Sequence, residues 1–365
     1  MKRVIVGMSG GVDSSVAALL LKKQGYEVIG IYLKYSNSNI NTWREDSIDA
    51  MLVSQTLKIP FYIIDISKIY KKKIIKYIYK EYRKGFTPNP DILCNSKIKF
   101  KIFLEKLIDL KSDFIATGHY VRKKEIFENG KIYYQIKSGI DQNKDQSYFL
   151  CKLNQNQIKK SLFPLGNLTK KEVRQIASKY HLINAKKKDS QGICFIGKIK
   201  LFNFLKLKLK KKEGSIIEIN QNSKNYKKED GKIIGKHIGA HFFTKGQRKG
   251  LKIGGYKFPL FVIEKDIKNN ILYVGMGKNH PGLYTKVVLI KKKNIHWINP
   301  NTNNDFFKKE VKCRIRYRQK LQKATLYKKK NKIYVEFEIP QLAVNAGQFI
   351  VWYINNEVIG SGRIG

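Results

Sequence analysis

Short apolar runs alternate with helix-forming segments along the first third of the chain. Residues 4–6 have the character of a buried strand, and the amphipathic stretch 13–24 that follows them is closed by Gly25. The alternation continues with strands predicted at 28–33, 61–66 and 114–117 and helices at 46–57, 74–82, 98–110 and 169–180. Strands and helices in this order predict an α/β fold, in which a parallel sheet carries helices on both faces.

The pattern changes at about Lys206, where glycines and an apolar period of two replace the helical pattern. Apolar positions at 311, 313, 315 and 317 and at 333, 335, 337 and 339 predict strands with one buried face. Asn-Gly at 129–130 and Asn-Asn at 355–356 predict hairpin turns. We therefore predict three domains: an α/β domain at 1–205, a small β-rich domain at 206–280 and a C-terminal β-barrel-like domain at 281–365.

The net charge of the chain predicts what kind of partner it binds. The chain has 73 lysine and arginine residues against 28 acidic ones, a formal net charge of +45, and its hydrophobic content of 42% excludes a disordered basic tail. A chain with this charge attracts polyanions, so we expect a nucleic-acid partner. Most of the basic residues are lysines, which share AT-rich codons with the abundant isoleucine and asparagine. The lysine runs are therefore read as solvated, nonspecific surface.

Several classes of protein are excluded by what the sequence lacks. No apolar run approaches the about 20 residues that cross a bilayer, and the first residues lack a secretory pattern. Cys94, Cys151, Cys194 and Cys313 lie far apart, with no Cys-x-x-Cys pair. This spacing argues against a disulfide scaffold and against a structural zinc site. We expect a cytoplasmic protein without a membrane partner.

The first predicted strand runs into a glycine- and serine-rich loop that precedes the first helix. Residues 7–15 read Gly-Met-Ser-Gly-Gly-Val-Asp-Ser-Ser. Backbone N–H groups at a helix N-terminus bind anions, and Ser9 and Ser14 add hydroxyl donors. A Gly-Lys-Ser/Thr word is absent, which excludes the Walker loop, and an ordinary tight turn is the simpler alternative. The complete loop resembles that of the PP-loop ATP pyrophosphatases, which cleave ATP between the α and β phosphates.

Two cysteines lie in segments of unusual composition. Residues 87–95, Thr-Pro-Asn-Pro-Asp-Ile-Leu-Cys-Asn, form a loop that leads into a helix, so Cys94 is predicted near a helix N-terminus, where a thiol pKa falls. Residues 189–197, Asp-Ser-Gln-Gly-Ile-Cys-Phe-Ile-Gly, place Cys194 between glycines. Taken singly, each cysteine is more simply interpreted as a buried residue than as a nucleophile.

Both segments resemble those of the bacterial tRNA-specific 2-thiouridylases. Further sequence motifs match that family in the same order along the chain: Ala-Thr-Gly-His-Tyr at 116–120, Lys-Asp-Gln-Ser-Tyr-Phe-Leu at 144–150, Thr-Lys-Gly-Gln-Arg-Lys-Gly-Leu at 244–251 and Arg-Tyr-Arg-Gln at 316–319. The resemblance therefore spans essentially the whole chain. One departure is the word Ala-Val-Asn-Ala-Gly-Gln at 343–348, where the family usually has Thr-Pro before Gly-Gln.

The resemblance implies ATP-dependent 2-thiolation of the wobble uridine of tRNA. Adenylation of the uracil O2 releases pyrophosphate and makes C2 electrophilic. Cys194 is then expected to carry a persulfide received from an upstream sulfur-donor protein. Either this persulfide attacks C2 directly or Cys94 releases sulfide from it, and both routes end in a Cys94–Cys194 disulfide that a reductant must reopen.

The resemblance also implies the site residues. The catalytic residues would be Cys94, Cys194 and Asp91. ATP, with Mg²⁺ at Asp13, would bind Gly7, Met8, Ser9, Gly10, Gly11, Val12, Asp13, Ser14, Leu33 and Gly118. The target base would lie against Asn89, Pro90 and Asp91. The tRNA would contact His119, Lys144, Asp145, Gln146, Arg316, Tyr317 and Gln348. From the sequence alone, a helix N-cap is an equal alternative for Asp91, and a hydrogen-bonded structural histidine is the simpler one for His119.

A basic strand face supports an RNA partner independently of the resemblance. If the strand predicted from residue 311 continues to 319, the four cations Lys312, Arg314, Arg316 and Arg318 share one face beside Tyr317. Such a face suits phosphates and an unstacked base. The alternative is a merely solvated basic face, because strands with one wet face are ordinary.

Two other functions compete with thiolation. A noncatalytic RNA-binding protein could keep the nucleotide loop as a relic, and it would tolerate replacement of both cysteines. Among enzymes, the alternatives are other adenylating PP-loop enzymes, such as a tRNA lysidine synthetase or a 4-thiouridine synthetase.

Overall fold

A computed structural model describes residues 1–35, 43–128, 130–189, 201–221, 226–299 and 307–365 of the chain. The first domain contains a parallel sheet with strand order β3-β2-β1-β4-β7. Its strands are β1 (Arg3–Gly7), β2 (Glu27–Lys34), β3 (Phe61–Asp65), β4 (Phe114–Ala116) and β7 (Ser161–Leu162). The predicted α/β class is confirmed.

Helices follow the strands in sequence. They are α1 (Val12–Lys23), α2 (Trp43–Thr56), α3 (Ser67–Tyr70), α4 (Lys76–Arg83), α5 (Pro90–Cys94), α6 (Phe100–Asp109), α7 (Gln155–Lys159), α8 (Lys170–Lys179) and α9 (Leu201–Lys206). One turn of π-helix, Lys71–Ile75, joins α3 to α4, and another, Asn95–Lys99, joins α5 to α6. The second π turn begins directly after Cys94, and such turns are frequent at functional sites.

The central strand β1 shows why the sheet lies between two helical layers. Val4, Ile5 and Val6 are fully buried. Ile5 packs into a core shared with α6, whereas Val4 and Val6 pack into a second core shared with α1. Because successive side chains of a strand point to opposite faces, an unbroken apolar strand requires a cover on both sides.

The rest of the chain forms two further sheets. The central sheet has the order β10-β11-β8-β9. Its strands are β8 (Gly214–Ile219), β9 (Gly231–His237), β10 (Leu260–Asp266) and β11 (Ile271–Met276). The C-terminal sheet has the order β12-β16-β15-β14-β17-β18-β6-β5, with β13 also paired to β18. Its strands are β5 (Val121–Glu128), β6 (Lys131–Ser138), β12 (Tyr284–Lys291), β13 (Ile295–Trp297), β14 (Lys308–Arg314), β15 (Gln322–Lys329), β16 (Lys332–Leu342), β17 (Phe349–Ile354) and β18 (Glu357–Arg363).

Both predicted hairpins form. Strands β17 and β18 pair across Asn355 and Asn356, whose φ angles of +47° and +64° are those of a tight hairpin turn. Strands β5 and β6 pair as predicted, although Asn129 lies outside the described residues. The sequence did not predict that β6 also pairs with β18, through Lys137 and Glu357, so that a hairpin from the first half of the chain extends the C-terminal sheet.

The strand predicted over 311–319 was too long. Strand β14 ends at Arg314, and the chain turns at the following residues. Val311, Cys313 and Ile315 are buried as the pattern predicted. Beyond Arg314, however, the alternation of faces no longer applies, because the alternation holds only while the backbone is extended. Within the described part of the chain, no helix is both long and apolar enough to cross a membrane.

Candidate active site

The glycine- and serine-rich loop connects β1 to α1, as the sequence predicted. Gly10 adopts φ +72°, and a Cβ there would lie 2.2 Å from the carbonyl oxygen of Asp46 in α2. Both the positive φ and the close approach require glycine. Gly7 is also crowded, since its Cβ would lie 2.8 Å from the Phe103 ring of α6. The loop is therefore fixed by the helices on both faces of the sheet.

The loop side chains leave the start of α1 open to an anion. Ser14 Oγ accepts from the Ser9 amide at 3.1 Å and donates to the Gly11 carbonyl at 3.0 Å. The N-cap residue of α1 is Gly11, which has no side chain to cap the first N–H groups of the helix. Such N–H groups, with the positive end of the helix dipole, bind phosphate.

Asp13, in the first turn of α1, is the centre of a charge cluster that the sequence did not predict. Its Oδ1 accepts from the Tyr120 hydroxyl and from Lys170 Nζ, both at 2.7 Å. Lys170 Nζ also lies 2.7 Å from Asp189 Oδ1, and Lys144 pairs with the other oxygen of Asp189. Burial acts to raise the pKa of Asp189, but the hydrogen bonds from Lys144 and Lys170 outweigh burial and lower this pKa to about 2.

Gly118 and Leu33, which were predicted to line the nucleotide pocket, lie in different surroundings. A Cβ at Gly118 would lie 2.7 Å from the Asp13 carbonyl carbon, so only glycine lets the chain after β4 pass the start of α1. Leu33, in contrast, is 4% exposed and belongs to the hydrophobic core around Ile31, so its side chain does not line an open cleft.

Asn184 is a residue of the site that the sequence analysis did not predict. Its amide donates to the Gly10 carbonyl at 3.0 Å and to Ser15 Oγ at 2.9 Å, and it supports the loop from behind.

The 87–91 loop leads into the helix that carries Cys94. Asn89 is the N-cap of α5, because its side chain accepts from the Ile92 amide, and Pro90 is the first helical residue. Asp91 is therefore not the N-cap, and that alternative was wrong. Burial raises the pKa of Asp91, and the positive charge of Lys99 opposes this rise. Cys94, the last residue of α5, is 5% exposed.

His119 lies beside the start of α6, which follows α5 and the π turn. Its Nδ1 is 2.8 Å from Thr117 Oγ1, and its ring stacks on Phe100 at a centroid distance of 6.2 Å. Burial, together with the charge of Lys99, lowers the pKa of His119 to about 3, so the ring is neutral at pH 7. Lys99 thus acts on both Asp91 and His119, which indicates that the structure brings these two predicted residues together. Cys194 lies outside the described residues.

The predicted RNA face on β14 is corrected by the burial of Arg314. Its guanidinium lies 3.0 Å from Asp145 Oδ2, and the two side chains are 6% and 0% exposed. Arg314 also covers the Tyr353 ring at 5.0 Å. The four-cation face therefore does not exist, because one of its members is an interior ion pair. The same ion pair engages the Asp145 side chain in the interior, and the place of Asp145 in tRNA binding stays a prediction.

The other residues predicted to meet RNA are partly exposed and lie close to one another. The Tyr317 hydroxyl donates to the Lys144 carbonyl at 3.3 Å, and its ring packs on Phe149 at a centroid distance of 4.5 Å. Gln146 accepts from the Tyr120 amide at 3.1 Å. Arg316 donates to the carbonyls of Leu342 and Ala343 at 2.8 and 2.6 Å, which leaves its guanidinium only partly available.

Three consecutive parts of the chain match family models. Residues 2–198 match the tRNA methyl transferase HUP domain, residues 202–276 the tRNA methyl transferase PRC-barrel domain, and residues 288–364 the aminomethyltransferase beta-barrel domain. Relatives that match the whole chain are named as 2-thiouridylases and not as methyl transferases. The chain is 77% identical to the tRNA-specific 2-thiouridylase MnmA of Karelsulcia muelleri, over 100% of this chain and 98% of the relative.

Two more distant relatives have the same name. Identity is 50% to the 2-thiouridylase MnmA of Flavobacterium johnsoniae, over 100% of both chains. It is 45% to the 2-thiouridylase MnmA 1 of Geobacillus kaustophilus, over 100% of this chain and 95% of the relative. The chain belongs to the tRNA-specific 2-thiouridylase family.

Membership of the 2-thiouridylase family confirms the resemblance seen in the sequence words. It also argues against the other adenylating enzymes, because these three relatives are named neither as lysidine nor as 4-thiouridine synthetases. For one of the missed residues, Lys170, the sequence gives its place in the helix but not its partner. Lys170 follows Thr169, whose capping box with Glu172 fixes the first turn of α8. Nothing in the sequence indicated that α8 would point this lysine at Asp13.

Proposed function

We propose that this chain catalyses ATP-dependent 2-thiolation of the wobble uridine in tRNA, which yields 2-thiouridine, AMP and pyrophosphate. The observation that carries the proposal is the end-to-end identity to 2-thiouridylases, with the nucleotide loop and both cysteine words retained. The alternative of a noncatalytic RNA-binding protein is not favoured, because the described residues retain the glycine-dependent loop at the start of α1, a carboxyl at Asp91 whose pKa burial raises, and the thiol of Cys94.

The first half-reaction is adenylation of the uracil. The triphosphate of ATP would bind the N–H groups between Ser9 and Ser14, where no side chain caps α1. Asp13 suits Mg²⁺, which takes one or two carboxylates together with substrate phosphates, and the ion would neutralise phosphate charge. Lys170, beside Asp13, supplies the positive charge that a Walker lysine supplies elsewhere. The uracil O2 attacks the α phosphorus, and pyrophosphate leaves.

The second half-reaction transfers sulfur. Cys194 would carry a persulfide delivered by an upstream donor protein, and AMP would leave from C2 as sulfur bonds there. In one route the terminal sulfur of the persulfide attacks C2, and Cys94 then displaces it from Cys194. In the other route Cys94 first releases sulfide, which attacks C2. Each route forms the Cys94–Cys194 disulfide, which an external reductant must reduce. Asp91, with its raised pKa, is suited to proton exchange at the base.

We propose that tRNA lies over the partly exposed group formed by His119, Lys144, Gln146, Arg316 and Tyr317. A neutral imidazole and a phenol ring beside cationic side chains suit an unstacked base and its neighbouring phosphates. The target base would then reach Asn89, Pro90 and Asp91. The formal charge of +45 would add nonspecific attraction to the RNA backbone.

Replacement of the cysteines tests the function. Cys94→Ser and Cys194→Ser should each abolish 2-thiouridine, measured by mass spectrometry of tRNA nucleosides after reaction with ATP and a cysteine desulfurase that supplies persulfide from cysteine. Cys151→Ala is the matched control, since burial raises the pKa of that thiol to about 12 and makes it a core residue. Normal 2-thiouridine formation by either serine variant would refute the proposal, as would a product thiolated at another atom of the base.

A further inference from the structure

The turn at residues 343–348, between β16 and β17 of the C-terminal sheet, lies against the 87–91 loop of the first domain. The Thr87 amide donates to the Ala346 carbonyl at 2.8 Å. Gly347 adopts φ +93°, and a Cβ there would lie 3.0 Å from the Thr87 carbonyl group. The two backbones therefore touch, and the contact leaves no room for a side chain or a nucleotide between them.

Gln348 uses both ends of its side-chain amide on this loop. Its Nε2 donates to the Thr87 carbonyl at 2.9 Å and to the Pro88 carbonyl at 3.4 Å, while its Oε1 accepts from Asn89 Nδ2 at 3.4 Å. Three consecutive residues before α5 are thus held by one side chain from more than 250 positions away in the sequence. Both the donor and the acceptor end of the Gln348 amide are therefore engaged by the 87–91 loop.

The same turn is fastened to the central region of the chain. Asn345 accepts from the Lys245 amide at 3.1 Å and donates to the Lys245 carbonyl at 3.2 Å, as a paired strand would. Thr244 Oγ1 lies 3.3 Å from Thr87 Oγ1, so the word at 244–251 also reaches the loop. Gly246 permits this approach, because its Cβ would lie 2.5 Å from that of Ala343.

We infer that the 343–348 turn is a positioning element for the reaction, in which Gln348 holds the 87–91 loop, and with it Asp91, in the geometry that the chemistry needs. This inference rests on the proposed function and goes beyond it, because it gives Gln348 a role on the protein loop that does not depend on a contact with tRNA. Asn89 is both the N-cap of α5 and a partner of Gln348, so displacement of the loop would also disturb the start of the helix that carries Cys94.

The test compares Gln348→Met with Gln322→Met. Both changes replace an amide by a neutral chain of similar length, but Gln322, at the start of β15, donates to the Lys320 carbonyl and has no described contact with the loop. We expect Gln348→Met to lower kcat by about tenfold while the KM for tRNA stays within about twofold, since misplaced reacting groups cost turnover rather than uniform binding. Gln322→Met should resemble wild type in both constants.

Hydrogen–deuterium exchange gives a readout that does not depend on activity. In Gln348→Met, amides of the peptide that spans residues 86–95 should exchange about tenfold faster than in wild type, because the loop loses its partners. Asn345→Asp, which keeps the acceptor for Lys245 but loses the donor, should raise exchange in both the 86–95 and the 244–251 peptides. If Gln348→Met fails to fold, the result from Asn345→Asp decides alone.

Two results would overturn the inference. One is unchanged exchange at 86–95 in the folded variants. The other is a raised KM for tRNA with unchanged kcat, which would make Gln348 an RNA contact. Failure of the proposed function has a different signature: wild-type protein would form no 2-thiouridine, while the exchange experiment would still report whether the turn holds the loop.

Discussion

The glycine- and serine-rich loop at residues 7–15, called the nucleotide loop below, and the 87–91 loop are built in opposite ways. The nucleotide loop is one contiguous segment between β1 and α1. Its main structural requirement, a glycine with a positive φ at Gly10, lies within that segment. The 87–91 loop is held by side chains and backbone from two distant parts of the chain, around Thr244 and around Gln348. One site is local in sequence, and the other is assembled by packing.

Because the two loops are held differently, different kinds of mutation should inactivate them. A local site is lost when its own residues change, even though the rest of the fold survives. An assembled site is lost when any of the surfaces that meet there moves. The buried pair of Arg314 and Asp145, which joins the C-terminal sheet to the segment after β6, belongs to the assembled kind.

The largest effect is expected where packing is broken. Arg314→Met should lower the free energy of unfolding by about 3–5 kcal/mol, because it leaves the Asp145 carboxylate buried without its charged partner. The exposed pair of Lys323 and Glu338, with side chains 76% and 60% exposed, supplies the control. Lys323→Met should change the same quantity by less than about 1 kcal/mol. Denaturant titration measures both, and equal effects would contradict the distinction between the two pairs.

A change within the local site should cost activity more than stability. Gly10→Ala places a Cβ against the Asp46 carbonyl and should lower 2-thiouridine formation at saturating tRNA by about a hundredfold, since a shift of about 1 Å in a bound group costs that much.

Gly25→Ala is the matched control for this variant. Gly25 also has a positive φ, +84°, but nothing lies within 4 Å of its Cβ position. We expect it to lower the free energy of unfolding by about 1 kcal/mol and to leave activity unchanged. If Gly10→Ala kept full activity, the conclusion that the nucleotide loop requires glycine would be wrong.

The smallest effect concerns pH. The folded pKa of His119 is about 3, below the ordinary value of 6.5, so as the pH falls below 6.5 the unfolded chain takes up a proton that the folded chain does not. Stability therefore falls with pH between about 6.5 and 3. The loss is only about 1 kcal/mol for the first unit, because the unfolded histidine is already half protonated at pH 6.5.

His119→Asn keeps a polar atom near Thr117 but cannot titrate. It should reduce this loss by about 1 kcal/mol when the free energy of unfolding is compared at pH 6.5 and 5.5. The comparison between variant and wild type isolates His119 from the other histidines whose pKa burial also lowers, such as His237 and His296. An identical pH dependence in the two proteins would show that His119 is more hydrated than its contacts indicate.

Much of the fold was readable from the sequence, for reasons that differ between elements. The strands around Val4 and Val28 were predicted because unbroken apolar runs must be covered on both faces. The hairpin at Asn355 and Asn356 was predicted because its turn residues tolerate positive φ. The RNA face at Arg314 failed because period-two reasoning assumes that the strand continues, whereas β14 ends at that residue.

By itself, the sequence determined the order of strands and helices, the glycine- and serine-rich loop between β1 and α1, and the family, since each depends on residues that are neighbours along the chain. Only the tertiary structure decided that Lys170 bridges Asp13 and Asp189, that Arg314 is interior, and that Gln348 meets the 87–91 loop. The physical reason is that backbone preferences and caps act within a few residues. The partner of a side chain, and its burial, instead depend on which distant segment packs against it.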